Sequence, residues 1–187
     1  MLGSLDDAGD RWASSLRGRR WADAAAAVVS NLSDHGILWV LAAAWMARRP
    51  GPPRRRAVVA LALSGVASYV VNRAIKRLAG RSRPERTASL HGGLPVRRPS
   101  SSSFPSGHTL ASFCAATTLP VGRAWRLAAL GFAAGVAASR VHLRAHHLSD
   151  VLGGATIGAA LGALVRPLAD LLSTAAGGSC RRRDRQE

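Results

Sequence analysis

Apolar stretches of Ala, Leu, Val and Gly alternate along this chain with clusters of arginine, and the breaks between them set the predicted elements. Residues 1–20 are polar, carry Asp6, Asp7 and Asp10, and suit a surface amphipathic helix; they lack the apolar core of a signal peptide. Residues 21–47 are apolar but interrupted by Asn31, Ser33, Asp34, His35 and Gly36. That pattern predicts one broken helix, or a shallow helix followed by a shorter buried one. Arg48 to Arg56, with three prolines and a glycine, reads as a turn. Residues 57–79 follow as a helix, 80–104 as a long polar loop, and 107–119, 127–142 and 148–165 as three further helices. Pro120 to Gly122 and a junction rich in His and Arg divide those three. The tail after Gly177 is expected to be disordered.

This pattern predicts an all-α fold, a multi-pass transmembrane bundle of about five or six helices with its site at one end. The expected division is a polar, interfacial segment (1–20), a single helical membrane domain (21–176) and a basic disordered tail (177–187). Several runs offer about 15 apolar residues where a spanning helix needs about 20. Snorkelling arginines, and helices that line a polar pocket, make up the difference. A soluble helical bundle is the competing architecture, and the mean hydropathy of +0.07 leaves room for it. Gly154, Gly158 and Gly162, and separately Gly131 and Gly135, recur at every fourth position, the spacing at which helices approach closely in lipid.

Charge narrows the partners. Across 187 residues the formal net charge is +16, which calls for an anionic surface, either nucleic acid or the head groups of an acidic bilayer. Lys76 is the only lysine among 26 basic residues, so a site that needs a compact point charge stands out against an arginine background. The arginines at 48–56 and 181–185 read as membrane-surface anchors, and Trp12, Trp21, Trp39, Trp45 and Trp125 as interfacial anchors. Cys114 and Cys180 suggest neither a disulfide framework nor a zinc site.

Three segments at predicted helix ends carry the candidate chemistry: Lys76 to Pro84, Pro105 to His108, and Ser139 to Asp150. In an up-and-down bundle, helix parity alone brings all three to one face. Lys76, Arg83 and Arg140 would surround a phosphate with three cations. Ser106 and Gly107 open a helix, where free backbone N–H groups and the positive dipole end attract anions. His146 and Asp150 are spaced i,i+4, so the carboxylate can fix one imidazole tautomer and leave the other nitrogen as nucleophile or base. His108 is the second imidazole, placed to protonate a leaving oxygen. His147 competes with His146 for that role, with spacing from Arg140 favouring His146. His142 and His146 have metal-ligand spacing but no third ligand nearby, so no metal is expected. Asp34 and His35 read as a helix break in preference to pocket residues. Arg77, Arg81, Arg86, Arg97, Arg98 and Arg144 read as solvated or lipid-facing cations.

Lys76–Arg83–Pro84, Pro105–Ser106–Gly107–His108 and Ser139–Arg140–His146–Asp150, in that order, resemble the three-part signature of the type 2 phosphatidic acid phosphatase superfamily, matching it at eleven positions. The resemblance implies a lipid phosphate or pyrophosphate phosphatase of the cell membrane with no cofactor, acting on a polyprenyl, phosphatidic acid or phosphatidylglycerophosphate type of substrate. It further implies that His146 forms a phosphohistidine, Asp150 orients it and His108 is the acid. Lys76, Arg83, Ser106, Gly107 and Arg140 would hold the phosphoryl oxygens. The family commonly has six spans where about five are found here, which bears on lipid selection and not on the chemistry. The competing functions are a vanadate-dependent haloperoxidase-like enzyme and a non-enzymatic basic membrane-binding protein. Nucleic acid is not an expected partner, self-association is left open, and basic residues divide too evenly between the two faces to orient the site.

Overall fold

The computed structural model describes residues 2–48, 52–85 and 100–183, and within them the chain is all-α. The helices are α1 (Leu2–Ser14), α2 (Arg20–Ser33), α3 (Ile37–Ala47), α4 (Pro52–Ala79), α5 (Gly107–Thr118), α6 (Arg123–His142) and α7 (Leu148–Arg183), with a 3-10 turn (Asp34–Gly36) joining α2 to α3. These seven exceed the five or six expected. The break at Asp34–Gly36 splits residues 21–47 in two, and the polar N-terminus supplies a helix of its own. Gly36 sits at φ +69°, where a side chain would be strained, and lets the chain re-enter helix.

The start of α4 and the end of α7 differ most from the sequence pattern. Pro52 to Arg56, expected in a turn, form the first turn of α4. Proline costs a helix little there, because the N–H it lacks has no intrahelical acceptor anyway. α7 continues past Pro167 instead of ending at 165. Val165, Ala169 and Ser173 are buried on one face across that proline, so packing offsets the roughly 3 kcal/mol cost of an interior proline. The helix then runs on to Arg183, into the segment expected to be disordered. Arg185 of the C-terminal arginine cluster, and Arg86, Arg97 and Arg98, lie outside the described residues.

The centre of the bundle is α5, packed against α4, α6 and α7. Leu110, Cys114 and Ala116 on it are fully buried. At 12 residues it is about 18 Å long and cannot cross a hydrocarbon core of about 30 Å. Among the described residues two helical stretches are long and apolar enough to do so, Arg55–Ala79 and Leu148–Thr174, each with mean hydropathy 1.6. Their outward faces expose Val58, Val66, Val70, Leu164, Leu168 and Leu171, a surface suited to lipid tails.

The glycine pattern on α7 has a direct structural cause. A Cβ at Gly154 would lie 2.8 Å from the Ser106 carbonyl oxygen and one at Gly162 would lie 2.6 Å from that of Cys114, while one at Gly158 would collide with that of Leu110. The two backbones therefore meet without intervening side chains. Gly131 and Gly135 on α6 meet nothing within 4 Å, so their spacing reflects composition and not contact. α1 lies across the ends of α6 and α7, with Ala13 buried against Val141 and Val151.

Candidate active site

The end of α4, the start of α5 and the α6–α7 junction come together at one end of the bundle, the convergence that helix parity predicts. Asp150, in the first turn of α7, is fully buried at the meeting point. Its Oδ2 accepts the His147 N–H at 2.9 Å and the Ser103 hydroxyl, and its Oδ1 accepts Arg81 Nη1 at 2.7 Å. Its backbone carbonyl accepts the Ser106 N–H at 3.1 Å, which pins the start of α5 to α7. A buried carboxylate with this many donors is held in one orientation.

His146 lies in the tight junction between α6 and α7. Arg144 adopts φ +50° there, unusual for a residue with a side chain. The Arg140 carbonyl accepts both the Ala145 and His146 N–H groups, at 3.0 and 3.2 Å, which tethers the turn. The ring is buried with Nδ1 3.6 Å from Asp150 Oδ2 and no closer hydrogen-bond partner. Nε2 lies 3.2 Å from Arg83 Nη1. Burial pushes the imidazole down to about 4, with Arg83 and Arg140 adding to the effect against the opposing pull of Asp150. His146 is therefore neutral at pH 7 and keeps a lone pair available.

Arg83 and Lys76 are both anchored on the chain segment before α5. Lys76 Nζ donates to the Ser102 carbonyl at 2.6 Å, and Arg83 donates to the carbonyls of Ala145 at 2.7 Å and Ser101 at 3.1 Å. Both border a cavity of about 880 Å³ whose wall also includes Asp34, Gly107, His108 and His146. A second hollow of about 580 Å³, lined by Gly80 to Arg83 and Ser100 to Ser102, adjoins it through the same two cations. Arg140 is buried behind the site, its Nη1 bonded to the Ser30 hydroxyl and its Nε and Nη2 without partners. Ser106 is fully buried, and its hydroxyl accepts from Thr109 Oγ1 at 3.0 Å instead of facing the cavity. At Gly107 the backbone approaches the Asn72 amide, and a Cβ there would lie 2.9 Å from Asn72 Nδ2, so Asn72 would have to rotate away.

His108 Nε2 lies 2.5 Å from Asp34 Oδ1. Asp34 thus both breaks the helix and lines the cavity, two roles that the sequence pattern set against each other. Burial and then Arg140 push His108 down to about 4 against Asp34. The three histidines around the α6–α7 junction separate cleanly. His142 turns away to Asp23, at 2.7 Å, and His147 faces Asp6 at 4.0 Å. Only His146 of the three borders the cavity. Among the described residues no cluster of three His, Cys, Asp or Glu could hold a metal ion.

Two arginines read as solvated are held by the protein. Arg81 bridges Asp150, Ser149 Oγ at 2.7 Å and Asp6 Oδ2 at 2.5 Å. Asp6 also accepts the Ser149 N–H at 2.9 Å and hydroxyl at 2.7 Å. Burial alone would raise Asp6, but the Ser149 and Arg81 hydrogen bonds hold its carboxyl below the usual range. Arg144 pairs with Asp10 at 3.1 Å. α1 is thereby latched to the carboxylate that faces His146. Also missed were Ser68 and Asn72 on the cavity wall. Their signal was present as an i,i+4 polar stripe, Ser64, Ser68, Asn72 and Lys76, through an otherwise apolar helix.

An all-helical bundle with a cationic, histidine-bearing cavity at one end defines a class of phosphate-handling membrane enzyme. The chain belongs to the PAP2 superfamily, whose sequence profile matches residues 57–171, and it is a phosphatase of that lipid phosphatase family. It is 33% identical over 153 residues to decaprenylphosphoryl-5-phosphoribose phosphatase from Mycobacterium tuberculosis, covering 81% of this chain and 83% of the relative. Its fold resembles that of a transmembrane PAP2-type phosphatidylglycerolphosphate phosphatase from Bacillus subtilis, with TM-score 0.71 and 25% identity over 90% of this chain and 86% of the other. LpxE from Aquifex aeolicus shares the fold at TM-score 0.63 and 21% identity, over 83% and 91% of the two chains. The non-enzymatic reading is thereby set aside.

Proposed function

We propose that this phosphatase is a multi-pass protein of the cell membrane that removes a terminal phosphate from a polyprenyl-linked lipid through a phosphohistidine on His146. The observation that carries this is the orientation of one ring: Nδ1 faces Asp150, and Nε2 faces the cavity beside Arg83. Asp150 Oδ2, 3.6 Å from Nδ1, favours the tautomer with the proton on that nitrogen, which puts the lone pair on Nε2 beside the phosphate-binding Arg83. That lone pair attacks phosphorus, the bond from phosphorus to the leaving oxygen breaks, and His108 supplies the leaving group's proton. Water then attacks the phosphoryl group, giving its proton to His108 as the P–N bond breaks, and inorganic phosphate departs.

Burial keeps His108 neutral at pH 7. A phosphate dianion in the cavity favours the protonated ring, which Asp34 then stabilises. Lys76 and Arg83 neutralise the equatorial oxygens, together with the free N–H groups at the start of α5. Arg140 acts from behind the cavity wall as a fixed positive charge. Ser106 contributes by fixing the first turn of α5, its hydroxyl being engaged with Thr109. The polyprenyl substrate class rests on the mycobacterial relative.

The test is a rapid quench of purified protein turning over labelled lipid phosphate in detergent. Wild type and His147→Ala should yield acid-labile, base-stable phosphoprotein, and His146→Ala none. Equal phosphate release by wild type and His146→Ala would overturn the reading.

A further inference from the structure

Near its end α4 carries Arg73, Lys76 and Arg77 within little more than one turn, and it has no acidic residue along its length. Like charges at this spacing repel one another. Lys76 and Arg77 fall in the last turn, where the negative end of the helix dipole favours cations. Arg73 lies deeper, inside the stretch Arg55–Ala79 that is apolar enough to cross a membrane. A charge at such a position is costly unless it meets a partner or a polar cavity. At the other end of α4, Arg56 has a carboxylate from the protein, Asp170 at 2.7 Å. Among the described residues no carboxylate pairs with Arg73 or Arg77, yet both are exposed and border the cavity that holds Lys76, Arg83 and His146.

That cavity is unbalanced in charge. Its described wall presents Arg73, Lys76, Arg77 and Arg83 against one carboxylate, Asp34, which is bonded to His108. A phosphate dianion seated at Lys76 and Arg83 matches those two cations and leaves the outer pair unmatched. The volume of about 880 Å³ is far more than one phosphate fills. Arg73 lies roughly 4.5 Å from Lys76 along the helix axis and one turn from Arg77, so the pair stands beside the phosphate cluster. Lys76 and Arg83 are tied to the carbonyls of Ser102 and Ala145. The guanidinium groups of Arg73 and Arg77 have no such tether among the described residues, and two forks one turn apart can close on a single oxyanion.

We propose that Arg73 and Arg77 form a second anion site at the mouth of the cavity, which holds a phosphate group other than the one being cleaved. Its ligand is a phosphate monoester or diester anion. Two sources carry that chemistry: a second phosphate of the substrate itself, and the head group of an acidic lipid lying against α4. The site rests on the phosphatase reading above and deepens it. Arg77, which the sequence pattern leaves as a solvated or lipid-facing cation, becomes part of the binding surface.

The test compares wild type, Arg73→Gln, Arg77→Gln and the double variant in neutral detergent. The substrates are farnesyl phosphate and farnesyl diphosphate, each with and without added phosphatidylglycerol, a diester with no terminal phosphate to remove. With the substrate's own second phosphate in the site, the ratio of kcat/KM for diphosphate over monophosphate should fall roughly 3–10-fold in each variant. With a neighbouring lipid there, phosphatidylglycerol should accelerate monophosphate hydrolysis by wild type, and the variants should lose that acceleration. Both readings are ratios within one preparation, so loss of folded protein cancels. Arg123→Gln removes an exposed cation at the far end of α6 and should change neither. Ratio and acceleration both unchanged in the double variant, or changed equally by Arg123→Gln, overturn the second site and leave the phosphatase standing. Absence of phosphate release from both substrates by wild type overturns both.

Discussion

His146 carries its burial as a pH dependence of stability, apart from the chemical role proposed for it. Its folded value of about 4 lies below the ordinary 6.5. Above pH 6.5 neither folded nor unfolded ring binds a proton, and this contribution to stability is complete. As the pH falls toward 4, the unfolded ring takes a proton that the folded ring refuses, and stability is lost. The loss is on the order of 2–4 kcal/mol. Thermal melts in detergent across that interval should show the loss in wild type and a flatter profile in His146→Gln. A variant profile parallel to wild type would place the titration on another group.

The residues also show what sequence could reveal. Lys76, Arg83, His108, His146 and Asp150 were legible because motif spacing and helix parity both bear on them. Asp6 and Asp34 were not. Their partners Arg81 and His108 lie 75 and 74 residues away, and no local spacing encodes such a pair. Arg81 was misread for the same reason, since a cation in a loop looks solvated until its two carboxylates are placed. Preference for His146 over His147 came from spacing alone; the structure adds that His147 faces Asp6.

Among the elements, α1 and α7 make separate contributions. α1 holds Asp150 through Asp6 and Arg81. Replacing Asp6 with Ala should loosen the carboxylate facing His146 and lower kcat roughly tenfold, as for loss of one charge-assisted hydrogen bond. KM should change little, because Asp6 lies outside the phosphate cavity. A rise in KM at constant kcat would argue against this, and recovery of kcat in Asp6→Glu would support it. α7 presses its glycines onto the backbone of α5. Gly158→Ala should cost about 1–3 kcal/mol by overpacking, read as a lower melting temperature in detergent, whereas Gly135→Ala, facing open space, should cost nothing. Both glycines sat in the same sequence pattern, and only the identity of the facing backbone separates them. Helix ends were legible where the apolar pattern met a change in polarity, as at Gly107 and His142. They failed at Pro52 and Pro167, where position in the helix and buried neighbours outweighed proline's usual effect.

For the whole molecule, charge and shape act together. A net charge of +16 should draw the protein to acidic bilayers before its helices matter. Hydrolysis of lipid presented in anionic mixed micelles should slow as salt shortens the screening length toward about 3 Å at 1 M. Neutral micelles should show no such decline. The expected row of short spans resolves into two helices long enough to cross and a shorter central one enclosed by neighbours. Hydropathy alone could not make that division, because α5 is on average at least as apolar as α4, α6 and α7 while being buried in protein.

The latch between α1 and the start of α7 has a topological consequence. Because Asp6 touches Ser149 and Arg81 directly, α1 and the proposed active-site cavity lie at the same end of the bundle. A peptide tag fused ahead of Leu2 therefore reports the side on which catalysis occurs. Its accessibility to protease in sealed vesicles of known orientation assigns the reaction to the cytoplasm or to the outside without any substrate.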